Sequence, residues 1–186
     1  LVTMIVEGED SWMFQIPGTQ LVQHQAELCG CEWLPVATQG EPEKEVDDLK
    51  AALSKLEIDG IVSGALRSDY QKTRLERMSE ELGIKSFTPL WHQSSKSHMS
   101  NLIANGFKVM ITGVSTEGLD SEWLGRVLNE ESLQDLTRIA SRYRFHVDGE
   151  GGEYETLVVA GPHMIGELEI DYVKHWDGVR GHLSFQ

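Results

Sequence analysis

Cysteine is scarce in this chain of 186 residues, which has only Cys29 and Cys31. Separated by one residue, they lie too close for an ordinary disulfide framework, and no second ligand pair completes a zinc site. They read as two small buried thiols of a reducing cytosol. Long apolar runs are missing too: none approaches the ~18 residues of a membrane helix. The opening Leu1-Val2-Thr3-Met4-Ile5-Val6 lacks the basic flank of a secretion signal. Basic residues are few, 16 Lys and Arg against 30 Asp and Glu, for a net charge of −14. A surface this acidic neutralises few phosphates, which argues against broad nucleic-acid binding. What remains, 40% hydrophobic and 25% charged, is neither disordered nor fibrous. The length suits one large domain or two small ones. The expectation is a cytoplasmic protein with no membrane and no nucleic-acid partner.

Hydrophobic periodicity predicts alternating strands and helices. Residues 1–6 form a continuous apolar run, as in a strand covered on both faces. Thr19 can cap a helix through Cys29, with Gly30 as its stop. A strand follows over 32–37, then a helix entered near Pro42 with Val46, Leu49, Leu53 and Leu56 on one face. A third strand covers 60–63. Ser68 caps the next helix, whose Leu75, Met78 and Leu82 fall at helical spacing before Gly83, and a fourth strand covers 84–87. Strands alternating with helices of ten or more residues predict βαβ units and a parallel sheet. Beyond Trp91 the texture changes. Gln93-Ser94-Ser95-Lys96-Ser97-His98 reads as a polar connector. Helices are expected over 99–105, 121–127 and from Asn129, with strands over 107–114, 154–160, 166–173 and near Leu183, in a mixed or antiparallel sheet. A boundary is placed at 92/93.

Two segments have the composition of ligand sites. In Ser63-Gly64-Ala65-Leu66-Arg67-Ser68-Asp69-Tyr70-Gln71-Lys72-Thr73-Arg74 the carboxyl end of a strand passes through a small-residue turn into a helix start. Open α/β sheets bind ligands at that edge, and free N–H groups at Ser68 can hold an anion. The bland alternative makes Ser68 a cap, Gly64 a turn, and Arg67 and Arg74 solvated. In His146-Val147-Asp148-Gly149-Glu150-Gly151-Gly152-Glu153-Tyr154-Glu155-Thr156 three glutamates crowd among three glycines. Like charges repel unless a cation shares them, though a solvated turn also relieves the repulsion. On a strand Glu153 and Glu155 share one face, a pair able to hold Mg²⁺, bind an ammonium ion or accept its proton. Trp91, leaving the fourth strand, stacks on a ring or belongs to the core. The Trp12-Met13-Phe14 cluster shapes a pocket or forms a satellite apolar contact. His24, His92, His98, His163, His175 and His182 show no metal-ligand spacing, and the metal set is left unassigned.

With Glu9-Asp10-Ser11-Trp12-Met13-Phe14 and Glu43-Lys44-Glu45-Val46 plus Asp48-Leu49, these two segments make the chain resemble the diphthine–ammonia ligases, PP-loop ATP pyrophosphatases. Trp123-Leu124-Gly125-Arg126 after Gly118-Leu119-Asp120 keeps the family spacing, and the likeness runs from residue 1 to about 165. The resemblance implies an α/β protein. A HUP-type, Rossmann-like parallel sheet over 1–92 would hold ATP and Mg²⁺, and a smaller α+β domain over 93–186 would carry the glutamate–glycine loop across a cleft. It implies amidation of diphthine on translation elongation factor two, with ammonium as nitrogen donor and ATP split to AMP and pyrophosphate.

By the same resemblance Ser63, Gly64, Ala65, Ser68, Tyr70 and Gln71 would line the nucleotide site. Arg74, Trp91, Gly151, Gly152 and Thr156 would line the cleft, and Arg74 or Arg126 would hold a carboxylate or phosphate. One of Glu150, Glu153 and Glu155 would bind ammonium and take its proton. The family's phosphate loop, Ser-Gly-Gly-Lys-Asp-Ser, is not among these residues. Its place is about one strand and one helix before Leu1, so the chain is expected to start partway through its gene product, with the first strand and helix missing. Gln15 stands where the family has histidine, and His92-Gln93 where it has Gly-Arg. The rival readings are a non-catalytic nucleotide-binding module of the same fold and a related ATP pyrophosphatase acting on a small molecule. A homodimer is compatible with the sequence, with no residue that demands it.

Overall fold

A computed structural model describes residues 1–7, 11, 13–15 and 18–186. The chain divides into two units, one of residues 1–20 and 33–93, the other of 21–32 and 94–186. The boundary expected at 92/93 thus falls one residue later. The segment 21–32, expected in the first domain, belongs to the second unit for a physical reason. Leu21 is buried in that unit's core, the Gln25 amide donates to Val158 O at 2.7 Å, and Ile165 N–H donates to Leu28 O at 2.7 Å. Cys29 is half-buried and Cys31 exposed, so the expectation of two buried thiols fails. Among the described residues no helix is long and apolar enough to cross a membrane.

The first unit holds β1 (Val2–Val6), β2 (Leu34–Thr38), α2 (Lys44–Leu53), β3 (Gly60–Val62), α3 (Asp69–Leu82) and β4 (Lys85–Phe87). The strands are parallel, as the alternation with helices requires, with Val2 opposite Leu34 and Gly60 opposite Lys85. They form two separate pairs, β1–β2 and β3–β4, instead of one continuous sheet among the described residues. A cavity of about 400 Å³ lined by Val2 and Met4 of β1 and by Ile61 and Val62 of β3 lies beside both pairs. On α2, Val46, Leu49 and Leu53 are buried at the expected spacing, while Leu56 falls past the helix end and is 42% exposed. At the start of α3, Ser68 Oγ accepts the Gln71 N–H, and at its end Gly83 adopts the left-handed conformation (φ +70°). Both signals were legible as cap and stop. Met4, Met13, Val36, Leu75 and Met78 complete the core, which Phe14 flanks. Met13 is therefore a core contact, Phe14 both flanks the core and lines the cavity, and Trp12 lies outside the described residues.

The second unit holds α1 (Val22–Leu28), α4 (Ser95–Ala104), β5 (Lys108–Val114), α5 (Glu130–Tyr143), β6 (Tyr154–Ala160), β7 (Tyr172–Trp176) and β8 (Gly181–Phe185). The strands make an antiparallel sheet ordered β6-β5-β8-β7. α4 starts inside the stretch read as a polar connector, because Ser94 caps it and its first turn carries polar residues only. α5 begins with a reciprocal cap in which Asn129 and Ser132 satisfy each other's backbone N–H groups. The helix expected over 121–127 does not form. That segment runs beside β5, with Gly125 N–H donating to Ile111 O and Leu128 N–H to Val109 O. Gly125 is left-handed (φ +77°), and a Cβ there would meet the Tyr172 hydroxyl at 2.4 Å, so packing overrides the periodicity. The strand expected over 166–173 forms only from Tyr172 onward.

Candidate active site

In the first unit the candidate segment leaves the carboxyl end of β3. Ser63 N–H donates to Phe87 O at 2.9 Å, and the Ser63 and Thr88 hydroxyls lie 3.3 Å apart. Gly64 is exposed, and a Cβ added there would meet nothing within 4 Å, so its backbone is open to a ligand. Ala65 and Leu66 are buried, which limits Ala65 to a backbone contribution. Ser68 serves as the cap of α3, with the Gln71 N–H at 3.3 Å.

The next turn of α3 is committed to protein contacts. The Gln71 amide donates to Met13 O at 3.0 Å. The Arg74 guanidinium lies 3.3 Å from the Tyr70 ring centroid and pairs with Glu43, whose backbone is left-handed (φ +69°). Arg74 therefore brackets α2 to α3. Arg67 donates to Gln93 O at 2.8 Å. Trp91 is neither core nor free: half-buried, it stacks on His92 with centroids 4.6 Å apart, and the Lys72 ammonium stands 5.3 Å from its ring. Sequence reasoning gave no role to Glu45, which is 0% exposed and accepts the Ser11 hydroxyl hydrogen bond at 2.6 Å. Glu9 and Asp10 of the matching motif lie outside the described residues.

In the second unit the glycines of the 149–156 loop each answer a local demand. Gly149 and Gly152 have φ of +74° and +77°, and Gly152 N–H donates to Gly149 O at 2.9 Å. A Cβ on Gly151 would sit 2.6 Å from Glu153 Oε1. The three glutamates separate into distinct situations. Glu150 is exposed. The Glu153 carboxylate is engaged by the backbone, taking His146 N–H on Oε1 at 2.9 Å and Gly151 N–H on Oε2 at 2.8 Å.

Glu155 is half-buried on β6 opposite Gly113, at an irregularity in the β5–β6 register between Ile111 and Gly113. Burial pushes its carboxyl above the ordinary glutamate range. Tyr154 is buried between them, its phenol raised first by burial and then by Asp148, Glu153 and Glu150, and its hydroxyl donates to Val147 O. Thr156 is half-buried opposite Ile111. Arg126, offered as an anion holder, stacks on Trp123 at 4.6 Å.

Glu153 and Glu155 thus sit in different surroundings, and among the described residues no group of three or more His, Cys, Asp or Glu side chains is placed to hold a metal ion. Gly113 was also missed. A glycine inside the apolar run 107–114 is the signal that could have found it, since glycine in a strand marks a bulge or a close approach.

Comparison with known proteins matches both halves. Residues 1–86 match the diphthamide synthase N-terminal domain and residues 94–186 the diphthamide synthase C-terminal domain. This chain belongs to the diphthamide synthase family. Its relatives include the diphthine–ammonia ligase of Mus musculus, 32% identical over 179 residues that cover 87% of this chain and 66% of the mouse protein. The Danio rerio diphthine–ammonia ligase is 31% identical, covering 87% of this chain and 69% of the fish protein. That of Saccharomyces cerevisiae is 29% identical over 91% of this chain but only 30% of the yeast protein. The chain spans about two thirds of the length of the vertebrate relatives. The N-terminal match takes in the parallel strands of the first unit together with residues 21–32 of the second, and the C-terminal match takes in the antiparallel sheet.

Proposed function

We propose that the chain carries the nucleotide-binding and ammonium-handling parts of a diphthine–ammonia ligase. The enzyme joins ammonia to the diphthine carboxylate of translation elongation factor two and splits ATP to AMP and pyrophosphate. The chemistry requires two steps. A carboxylate oxygen attacks the α-phosphorus and pyrophosphate leaves; ammonia then attacks the acyl carbon and AMP leaves. The first step turns a poor electrophile into a good one. The second needs a free lone pair, which ammonium at neutral pH does not have.

ATP is assigned to the carboxyl edge of β3, where the open backbone at Gly64 leads into the start of α3 at Ser68. Mg²⁺ is assigned to the phosphates of ATP, since the glutamates do not form a cage and this ion ordinarily keeps several waters.

Glu155 carries the reading. Its carboxylate is half-buried, and burial has made it more basic than a solvated glutamate, as a group that takes a proton from ammonium requires. Glu153 is the weaker candidate, because both its oxygens already accept backbone N–H bonds.

The test is Glu155→Gln in the complete gene product, with first-turnover pyrophosphate release and amide formation followed separately. Amidation is expected to fall about a hundredfold, the lower range for loss of a general base, while pyrophosphate release persists. Equal loss of both steps, or unchanged amidation, refutes the role of Glu155.

A further inference from the structure

The fully buried carboxylate in the first unit has no part in the chemistry above, yet it is costly. Glu45 is 0% exposed, its Oε2 accepts the Ser11 O–H at 2.6 Å, and its Oε1 has no hydrogen-bond partner among the described residues. A buried carboxylate with one oxygen unpaired opposes folding, and leucine or methionine would fill that volume at lower cost. Its position in the second turn-forming residue of α2 supplies some compensation, because anions are favoured at a helix N-terminus.

The arrangement around Glu45 explains its retention. The Ser11 hydroxyl that donates to Glu45 also accepts N–H bonds from Met13 at 3.1 Å and Phe14 at 2.9 Å. The Met13 carbonyl in turn accepts the Gln71 side-chain amide at 3.0 Å. Ser11, Met13 and Phe14 come after β1 in the chain, and they are tied to α2 through Glu45 and to α3 through Gln71. Gln71 lies one turn into α3, directly after the Ser63–Ser68 turn assigned to ATP. Ser11 and Met13 come after β1 and that turn after β3, and the carboxyl ends of parallel strands are the ligand edge of an open α/β sheet.

We infer that Glu45 is a positioning residue for nucleotide binding: through Ser11 it fixes the backbone at Met13 and Phe14, and through Met13 and Gln71 it fixes the first turn of α3. The inference rests on the assignment of ATP to this edge. A charge-assisted hydrogen bond is stronger and more directional than a neutral one, which is what a carboxylate provides here and an apolar residue does not.

The experiment compares Glu45→Ala, Glu45→Gln and Ser11→Ala in the complete gene product, with two readouts. Amide hydrogen exchange at Met13 and Phe14 reports the clamp independently of activity. Steady-state pyrophosphate release reports KM for ATP and kcat. Glu45→Ala and Ser11→Ala are expected to accelerate exchange at both amides and to raise KM about tenfold, the effect of one lost charge-assisted bond, with a smaller change in kcat. Glu45→Gln keeps an oxygen to accept the Ser11 bond but not its charge, and should restore part of both. Glu45→Ala and Ser11→Ala break one shared contact and Ser11→Ala also removes the acceptor of the Met13 and Phe14 N–H groups, so the double variant should lose no more than Ser11→Ala alone.

Should Glu45→Ala fail to fold, Ser11→Ala, which removes a single oxygen, carries both readouts. Unchanged exchange in Ser11→Ala overturns the clamp. Faster exchange with an unmoved KM overturns its service to the nucleotide. A wild-type protein that binds no ATP overturns the ATP assignment itself, and with it the nucleotide role, while the exchange result still stands for the clamp.

Discussion

The Glu153 side chain turns back on Gly151, taking its backbone N–H on Oε2 at 2.8 Å while Oε1 takes that of His146 at 2.9 Å. One carboxylate thus closes a loop of eight residues and leaves no space for a Cβ on Gly151, which would lie 2.6 Å from Oε1. Glu153 thus shapes the loop, while Glu155, on β6, is the carboxylate proposed above for the chemistry.

Glu153→Gln should therefore behave as a structural variant. An amide offers one oxygen and turns its NH₂ toward the other backbone N–H, so one of the two bonds is lost. The expected cost is about 1 kcal/mol of stability, read from urea unfolding. Amide exchange at His146 and Gly151 should rise with it. Amidation should fall less than in Glu155→Gln, and a larger fall in Glu153→Gln would reverse the two roles.

Gly113→Ala tests the seat of Glu155. A Cβ at Gly113 would lie 3.2 Å from Glu155 Cβ and 3.3 Å from its Cγ, tighter than ordinary contact, so the glutamate must shift by a few tenths of an ångström. Thermal stability should change little, because alanine recovers some of the backbone entropy that glycine loses in a strand. Amidation should drop about tenfold or more, as misplaced reacting groups do, with pyrophosphate release retained. Equal effects on both steps would place the damage elsewhere.

Much of the first unit was legible because its signals are local. Ser68 and Gly83 bracket α3 by cap and stop, and Leu75 and Met78 fall on one face, so the helix is dictated within its own residues. The second unit was read less well where distant contacts decide. Residues 121–127 carry helical spacing, yet Gly125 must lie against Tyr172, some fifty positions away, and the segment pairs with β5 instead. Leu21 and Gln25 look like the start of a first-domain helix, but their partners in the second unit cannot be seen from neighbouring residues.

The candidate site divides the same way. Composition singled out the 149–156 loop. The separate roles of Glu153 and Glu155 depend on which backbone N–H groups each meets, and this is a property of the folded turn. Glu45 shows the limit most clearly: its spacing on α2 places it beside the apolar face, and nothing in that pattern announces a carboxylate bonded to Ser11.

Glu155 also sets the pH behaviour. Its carboxyl is raised above the ordinary value of 4.5 because burial disfavours the charged form. Below the unfolded value both states are protonated and the group costs nothing. As pH climbs through the folded value, the unfolded chain ionises freely while the fold must charge a half-buried oxygen, so stability declines. Catalysis runs the opposite way, since only the ionised form accepts a proton from ammonium. The acid limb of amidation should accordingly lie above pH 4.5, and Glu155→Gln should flatten that limb along with the rate. The same variant should make the protein slightly more resistant to urea at pH 7 to 8, with the gain vanishing toward pH 4. Stability and activity moving in opposite directions from one isosteric change distinguishes a catalytic carboxylate from a structural one. If Glu155→Gln lowers both together, as is expected of Glu153→Gln, Glu155 is holding the fold.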